Sequence, residues 1–178
     1  MKISRRSAIN RLLVLSAGMA LLPACARRKD KTSLELANIR ISGEQEEWLA
    51  ELAETILSKT GTPGAKDLSA HLFALMMVDD CHTKEEQQAF ASGMKRFDEM
   101  TRERHGKSFA GCSAGQKRAW LTDLENKKEI PEEVLSFYGS MKQLTVQCYT
   151  TSEYFLTHIQ PYVLVPGRFY GCVPVSEA

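Results

Sequence analysis

The sequence predicts an all-α protein: a small bundle of about five helices with an extended C-terminal arm. Three observations predict it. Apolar residues recur at helical spacing in five segments between Ser42 and Gln160. Three of those segments open on Ser/Thr followed three positions later by Gln or Glu, the pattern of a capping box. Strand-like composition, with Pro, Gly and Val, is confined to the last stretch of the chain.

The elements follow in order. Ser42-Gly43-Glu44-Gln45 caps a first helix whose Trp48, Leu49, Leu52, Ala53, Ile56 and Leu57 share one face, and Gly61-Thr62-Pro63-Gly64 stops it. A second helix over about Ala65–Asp80 carries Leu68, Leu72, Leu75 and Met76 and ends on Asp79-Asp80-Cys81. Thr83-Lys84-Glu85-Glu86 opens a third, with Phe90, Met94, Phe97 and Met100, which ends near His105-Gly106, where glycine suits a left-handed cap. Ser113-Ala114-Gly115-Gln116 starts a shorter helix with Trp120, Leu121 and Leu124. The last helix reads as the longest. Pro131 fits its first turn, Glu132 and Glu133 complement the N-terminal dipole, and a seam of Val134, Tyr138, Met141, Thr145, Cys148, Ser152, Phe155 and Ile159 continues until Pro161 forces a stop. Residues 161–178 hold three prolines and two glycines among aromatic and β-branched residues, an arm suited to lying on a surface, its own or a partner's.

Composition narrows the function classes. The 178 residues carry 23 Lys+Arg against 22 Asp+Glu, a balance that excludes the basic footprint of a nucleic-acid binder. The balance also hides an asymmetry. Residues 1–24 hold Lys2, Arg5, Arg6 and Arg11 and no acid, so the remainder has 19 positive and 22 negative groups, net −3. The basic start precedes the apolar run Leu12–Leu22, too short for a membrane span and of the length of a secretory signal. Residues 1–25 are therefore expected to be an export signal, and 26–41 a polar linker before the helical domain at 42–160.

Two details refine the signal. Ser4-Arg5-Arg6-Ser7 resembles a twin-arginine leader, in which the pair Arg5 and Arg6 is an address read by a receptor for folded cargo. Leu22-Pro23-Ala24-Cys25 resembles a bacterial lipobox, which makes Cys25 the expected lipidation site and the membrane a partner on the periplasmic side. Arg27–Lys31 would then lie among headgroups.

Catalytic patterns are missing from the sequence. Gly61–Asp67 lacks the glycine spacing of a phosphate loop and has Asp67 where a metal-binding hydroxyl belongs. There is no dinucleotide fingerprint and no Cys-x-x-Cys-His for covalent haem. Asp79, Asp80, Cys81 and His82 form the one local cluster with ligand chemistry, and a polar helix end explains them as well. Cys81, Cys112, Cys148 and Cys172 permit disulfides in an oxidising compartment, with Cys172 placed to staple the arm; Cys148 in the seam also reads as a small buried residue. Glu153 stands one turn past Tyr149, a surface pair unless an interface covers it. No catalytic, cofactor or metal residue is assigned.

Thr62–Asp67, Met77–Cys81, Gln147–Tyr154 and the arm Tyr162–Cys172 together resemble the gluconate 2-dehydrogenase subunit 3 family over roughly residues 42–175. The resemblance implies a small, non-catalytic subunit without a redox group. It implies a catalytic partner of the glucose-methanol-choline type that binds FAD and oxidises a sugar, sugar acid or glycoside, with a cytochrome c subunit often taking the electrons. It also implies that the small subunit supplies the export signal for its partner. The partner-facing candidates are Tyr149, Glu153, Tyr162, Pro166, Gly167, Arg168, Phe169 and Tyr170. Two other classes compete: a free-standing helical envelope lipoprotein, and an enzyme using Cys81, His82 and Asp79 or Asp80 around a metal.

Overall fold

The computed structural model describes residues 32–160 except Lys128, together with Val163 and Gly167. Helix α1 spans Gly43–Ile56, α2 Ala70–Cys81, α3 Lys84–His105, α4 Ala114–Glu125 and α5 Glu132–Thr150. A 3₁₀ turn, Phe109–Gly111, precedes α4, and a π-helical turn, Phe155–Ile159, follows α5. No strand occurs among the described residues.

All three expected capping boxes form. Ser42, Thr83 and Ser113 each accept the N–H of the residue three on, and Gln45, Glu86 and Gln116 reach back to the cap. Gly106 ends α3 in the left-handed region at φ 70°, with its N–H on the Arg102 carbonyl. These ends are written in four-residue windows, which is why they are legible locally.

The core is built around Phe97. Trp48 stacks on it at 5.4 Å, Phe137 meets it edge-on at 5.6 Å, and Phe109 and Trp120 lean on it at 5.5 and 5.9 Å. Such offset and edge contacts add about 0.5–1.5 kcal/mol per pair beyond area burial. The Trp120 indole N–H is satisfied by Thr101 Oγ1 at 3.0 Å, and that hydroxyl donates to the Phe97 carbonyl at 2.7 Å. Arg104 covers the Trp120 ring from outside at 4.5 Å. Between α3 and α5 the backbones approach closely at Gly93, whose absent Cβ would lie 2.3 Å from the Glu133 carbonyl.

Four expectations about the helices need correction. The second helix begins at Ala70, not near Ala65. Asp67 Oδ2 accepts the Gly64 N–H at 3.1 Å, Ser69 turns left-handed at φ 52°, and the Ala70 N–H reaches the Ala65 carbonyl at 2.9 Å. This bonded turn supplies the partners that a helix would otherwise provide. The last helix is not the longest: α3 has 22 residues and α5 has 19. The seam is buried from Val134 to Thr145 and half-buried at Cys148, Ser152 and Phe155, but the α-helix ends at Thr150 and Ile159 is 51% exposed. Pro131, at φ −56° and ψ 141°, stands just ahead of α5 instead of inside its first turn.

The stretch expected to be a polar linker is docked over its described part. Ile39 is buried in the core, and Leu36 and Ile41 pack against it. Residues 32–41 thus form a strap across the bundle.

Candidate subunit interface

The polar groups at the two ends of the bundle have different occupations. At the strap end, Asp79 near the end of α2 is 4% exposed. Its Oδ2 accepts the Ala37 N–H at 2.7 Å, and Oδ1 accepts those of Asn38 and Ile39 at 2.7 and 2.8 Å. Asn38 Nδ2 donates to the Asp79 carbonyl at 2.9 Å. The buried Gln87 amide donates to the carbonyls of Asp79, Val78 and His82, closing the end of α2. Burial pushes the Asp79 carboxyl up, but the three backbone donors outweigh it and hold it below the usual carboxylate range.

A pH dependence follows from that direction. Because the folded carboxyl is depressed, its contribution is present at neutral pH and is lost as pH falls through the folded value, below the ordinary Asp range. Asp79→Asn is expected to weaken strap docking at neutral pH by at least about 1.5–3 kcal/mol, the worth of one charge-assisted bond. It should also abolish the acid-triggered step. Hydrogen exchange at Ala37, Asn38 and Ile39 across pH measures both; unchanged protection in the variant would refute the clamp.

The clamp removes Asp79 from the metal reading. Both of its oxygens are occupied by the strap, while Cys81 is exposed on the last turn of α2 and His82 lies just beyond it. Among the described residues no cluster of three His, Cys, Asp or Glu is placed to hold a metal.

The opposite end brings together two of the segments singled out in the sequence, Thr62–Asp67 and Gln147–Tyr154. The Glu54 carboxylate organises the loop after α1, accepting the Lys59 N–H on Oε1 and the Lys66 N–H on Oε2, both at 2.9 Å. Gly64 is favoured there, because a Cβ would sit 2.7 Å from the Lys59 backbone nitrogen as well as from both Glu54 oxygens. Asp67 is held below its usual range by the Gly64 N–H and by Lys59, whose Nζ lies 3.0 Å away. Thus the N–H groups a phosphate would need are already given to carboxylates. Glu51 pairs with Lys66 and, at 2.6 Å, with Lys117. Burial raises its carboxyl, but the two ammonium groups leave it below the usual value.

This loop meets the end of α5. Cys148 and Leu57 pack against Ala53, Ala65 and Ala70, and the Cys148 thiol points at the Leu68 carbonyl at 3.8 Å. Burial pushes that thiol up, which disfavours the reactive thiolate. Cys81, Cys112 and Cys148 are free and sit on separate elements. Pairing with Cys172 lies outside the described residues.

Helix α5 ends in a run of three hydroxyl residues that bond back to its last carbonyls. Thr150 Oγ1 donates to Val146, Thr151 Oγ1 to Gln147 and Ser152 Oγ to Tyr149, at 3.1, 2.8 and 2.6 Å. Ser152 Oγ then accepts the Phe155 N–H at 3.2 Å and starts the π-helical turn. The aromatics regroup on that turn. Tyr149 meets Phe155 edge-on at 5.6 Å, and Tyr154 stacks on His158 at 4.8 Å. Tyr149 therefore turns to Phe155 instead of pairing with Glu153, which stands exposed. Phe155 was expected as a seam residue facing the core, and Tyr154 and His158 were not named as candidate interface residues; the run of three hydroxyl residues at Thr150–Ser152, which favours turns over helix interiors, was the available signal near the break. Of the arm, Val163 and Gly167 are exposed, and Tyr162, Pro166, Arg168, Phe169 and Tyr170 lie outside the described residues, as do Arg5, Arg6 and Cys25. No described helix is long and apolar enough to cross a membrane.

The bundle thus carries an aromatic end from which the arm departs, and the three sequence segments of the resemblance that it resolves are a clamp, a loop and a helix break. No curated protein and no solved structure matches the chain. The family described as Gluconate 2-dehydrogenase subunit 3 matches residues 43–167, from the first residue of α1 into the arm. The chain belongs to the gluconate 2-dehydrogenase subunit 3 family and is a subunit of a gluconate 2-dehydrogenase complex.

Proposed function

We propose that this subunit is a non-catalytic escort of a flavin-dependent sugar or sugar-acid dehydrogenase. It carries the FAD-containing catalytic subunit through the twin-arginine route and holds it at the periplasmic face through a lipid on Cys25. A cytochrome c subunit would receive the electrons. The observation that supports this reading best is the aromatic end built by Tyr149, Tyr154, Phe155 and His158. It offers stacking surface beside the root of a Pro/Gly-rich arm, in a chain whose buried Asp79 carboxylate serves its own backbone.

Truncation after Gln160 tests the arm. Among the described residues the core contacts run between helices and around Phe97, so the shortened protein is expected to keep its helical circular dichroism and its cooperative melt. It should no longer co-purify with the flavoprotein. A truncated protein that melts normally and still binds the flavoprotein would defeat the arm's role; failure of the full-length protein to bind any flavoprotein would defeat the escort reading itself.

Cys25→Ser is expected to leave the mature chain exported and unanchored, since thioether formation needs the thiol. Fractionation with mass analysis checks it. Membrane-bound Cys25→Ser protein would place the anchor elsewhere, in a retained helix or a partner.

A further inference from the structure

We propose that the outer side of α2, carrying Leu72, Phe73, Met76 and Met77, is the docking face for an uncharged, apolar surface of the catalytic subunit. Naming that occupant rests on the escort reading; the face itself comes from the bundle. Apart from His71, α2 is apolar on every side from Ala70 to Val78. Ala70, Ala74, Leu75 and Val78 fill its buried side. Leu72 with Met76, and Phe73 with Met77, are pairs four apart on the other side. Met76 is 46% exposed and its three companions are half-buried, Phe73 and Met77 keeping one edge on the core. A helix that is apolar all round belongs in an interior, and the bundle covers this one on one side only.

Beside α2 runs an equally uncharged flank of α5. Cys148 meets Leu68 just before α2 starts, and Ser136 and Ser140 line a cavity with His82 just after it ends, so the two helices run antiparallel. Gln143 and Gln147 continue the row of Ser136 and Ser140 at helical spacing. No Asp, Glu, Lys or Arg occurs from Leu68 to Val78 or from Gln143 to Ser152, where a chain with 25% charged residues would place about five. The outer side of α3, by comparison, carries ion pairs such as Arg96 with Glu99 and Arg102 with Asp98. Depletion of charge marks the core of a protein–protein contact better than hydrophobicity does. A charged group set opposite this face would be buried without a partner, so the matching surface is itself uncharged.

The size of the face selects among occupants. The 12 residues of α2 rise about 18 Å and two adjacent helices are about 20 Å wide, so the face offers roughly 350 Å² against the ~800 Å² per side of a stable contact. A second copy meeting it face to face falls short of that. Of the arm, Val163 is 63% exposed and Gly167 is exposed, so neither is buried on this face. A larger subunit gains the remaining area by continuing past Cys148 and Leu68 onto the aromatic end.

The test uses the full chain, affinity-tagged and co-expressed with the catalytic subunit. Met76→Glu puts a charge in the middle of the face. Val146→Glu puts one at an equally exposed site, 46% in both cases. Val146 stands two residues from both Leu144 and Cys148, and so on the side of α5 away from α2. Met76→Glu is expected to lower the flavoprotein recovered by about tenfold or more, while Met76→Leu and Val146→Glu stay within about twofold of the parent. Parental recovery with Met76→Glu, or an equal loss with Val146→Glu, overturns the proposal. So does a Met76→Glu chain that, purified alone, melts well below the parent or turns a dimer into a monomer, because the occupant would then be its own arm or a second copy. A parent that recovers no flavoprotein defeats the escort reading and the named occupant together. A parent that recovers it as well as Met76→Glu does defeats the docking face alone.

Discussion

Gly93→Ala is expected to destabilise the bundle by more than the usual 1–3 kcal/mol of an overpacked core site. The position is mid-helix in α3, where alanine would ordinarily gain about 1 kcal/mol over glycine. Here the added Cβ would meet the Glu133 carbonyl oxygen at 2.3 Å and Phe137 Cβ at 2.7 Å. The first neighbour is helix backbone and cannot rotate away. Relief requires α3 and α5 to separate, and that separation would pull Phe137 off Phe97, Trp48 and Phe90. A total stability of about 5–15 kcal/mol leaves little room for such a loss.

Gly139 supplies the matched control. It lies within α5, is exposed, and has nothing within 4 Å of where a Cβ would go. Gly139→Ala is expected to raise stability by up to about 1 kcal/mol, with the opposite sign to Gly93→Ala. Thermal melts of the two variants beside the parent decide the matter. A Gly93→Ala protein as stable as the parent would mean that the helices do not approach this closely.

The contrast between local and distant partners explains what the sequence disclosed. The capping boxes at Ser42, Thr83 and Ser113 are complete within four residues, and each forms. The core faces of α1, α3 and α4 follow from periodicity, because the same residues face inward whichever helix lies opposite. Asp79 was visible as a polar helix end or a candidate metal ligand, not as a clamp. Its partners, Ala37 to Ile39, lie about forty positions earlier, and nothing in the strap's composition announces them. One clue was present: an acid near a helix C-terminus opposes the dipole and calls for donors of its own. The same reasoning applies to the aromatic end. Seam periodicity carried the expected helix through Ser152 to Ile159, while the α-helix stops at Thr150, in a run of hydroxyl residues that bond back to the preceding turn. Of the aromatic end, Tyr149 was named in sequence as an interface candidate and Phe155 as a seam residue; the turn after Thr150 brings the two together.

Replacing Arg5 and Arg6 together by lysine is expected to abolish periplasmic dehydrogenase activity, the largest functional effect a two-residue change in this chain should have. Lysine keeps the positive charge of the leader, so any signal that needs only a basic start should still work. A receptor that reads the planar guanidinium pair as an address would not accept the substitution. The bundle itself is untouched, since its caps, clamp and core all lie beyond Thr32. Under the escort reading the catalytic subunit has no address of its own. Both proteins should then accumulate in the cytoplasm, with the flavoprotein still holding its cofactor and still active in a lysate. That last measurement separates lost export from lost assembly: an inactive, cofactor-free partner in the lysate would point to an assembly defect instead. Normal periplasmic activity in the double variant, with the small subunit itself retained inside, would show that the flavoprotein travels alone, and the escort role would fall.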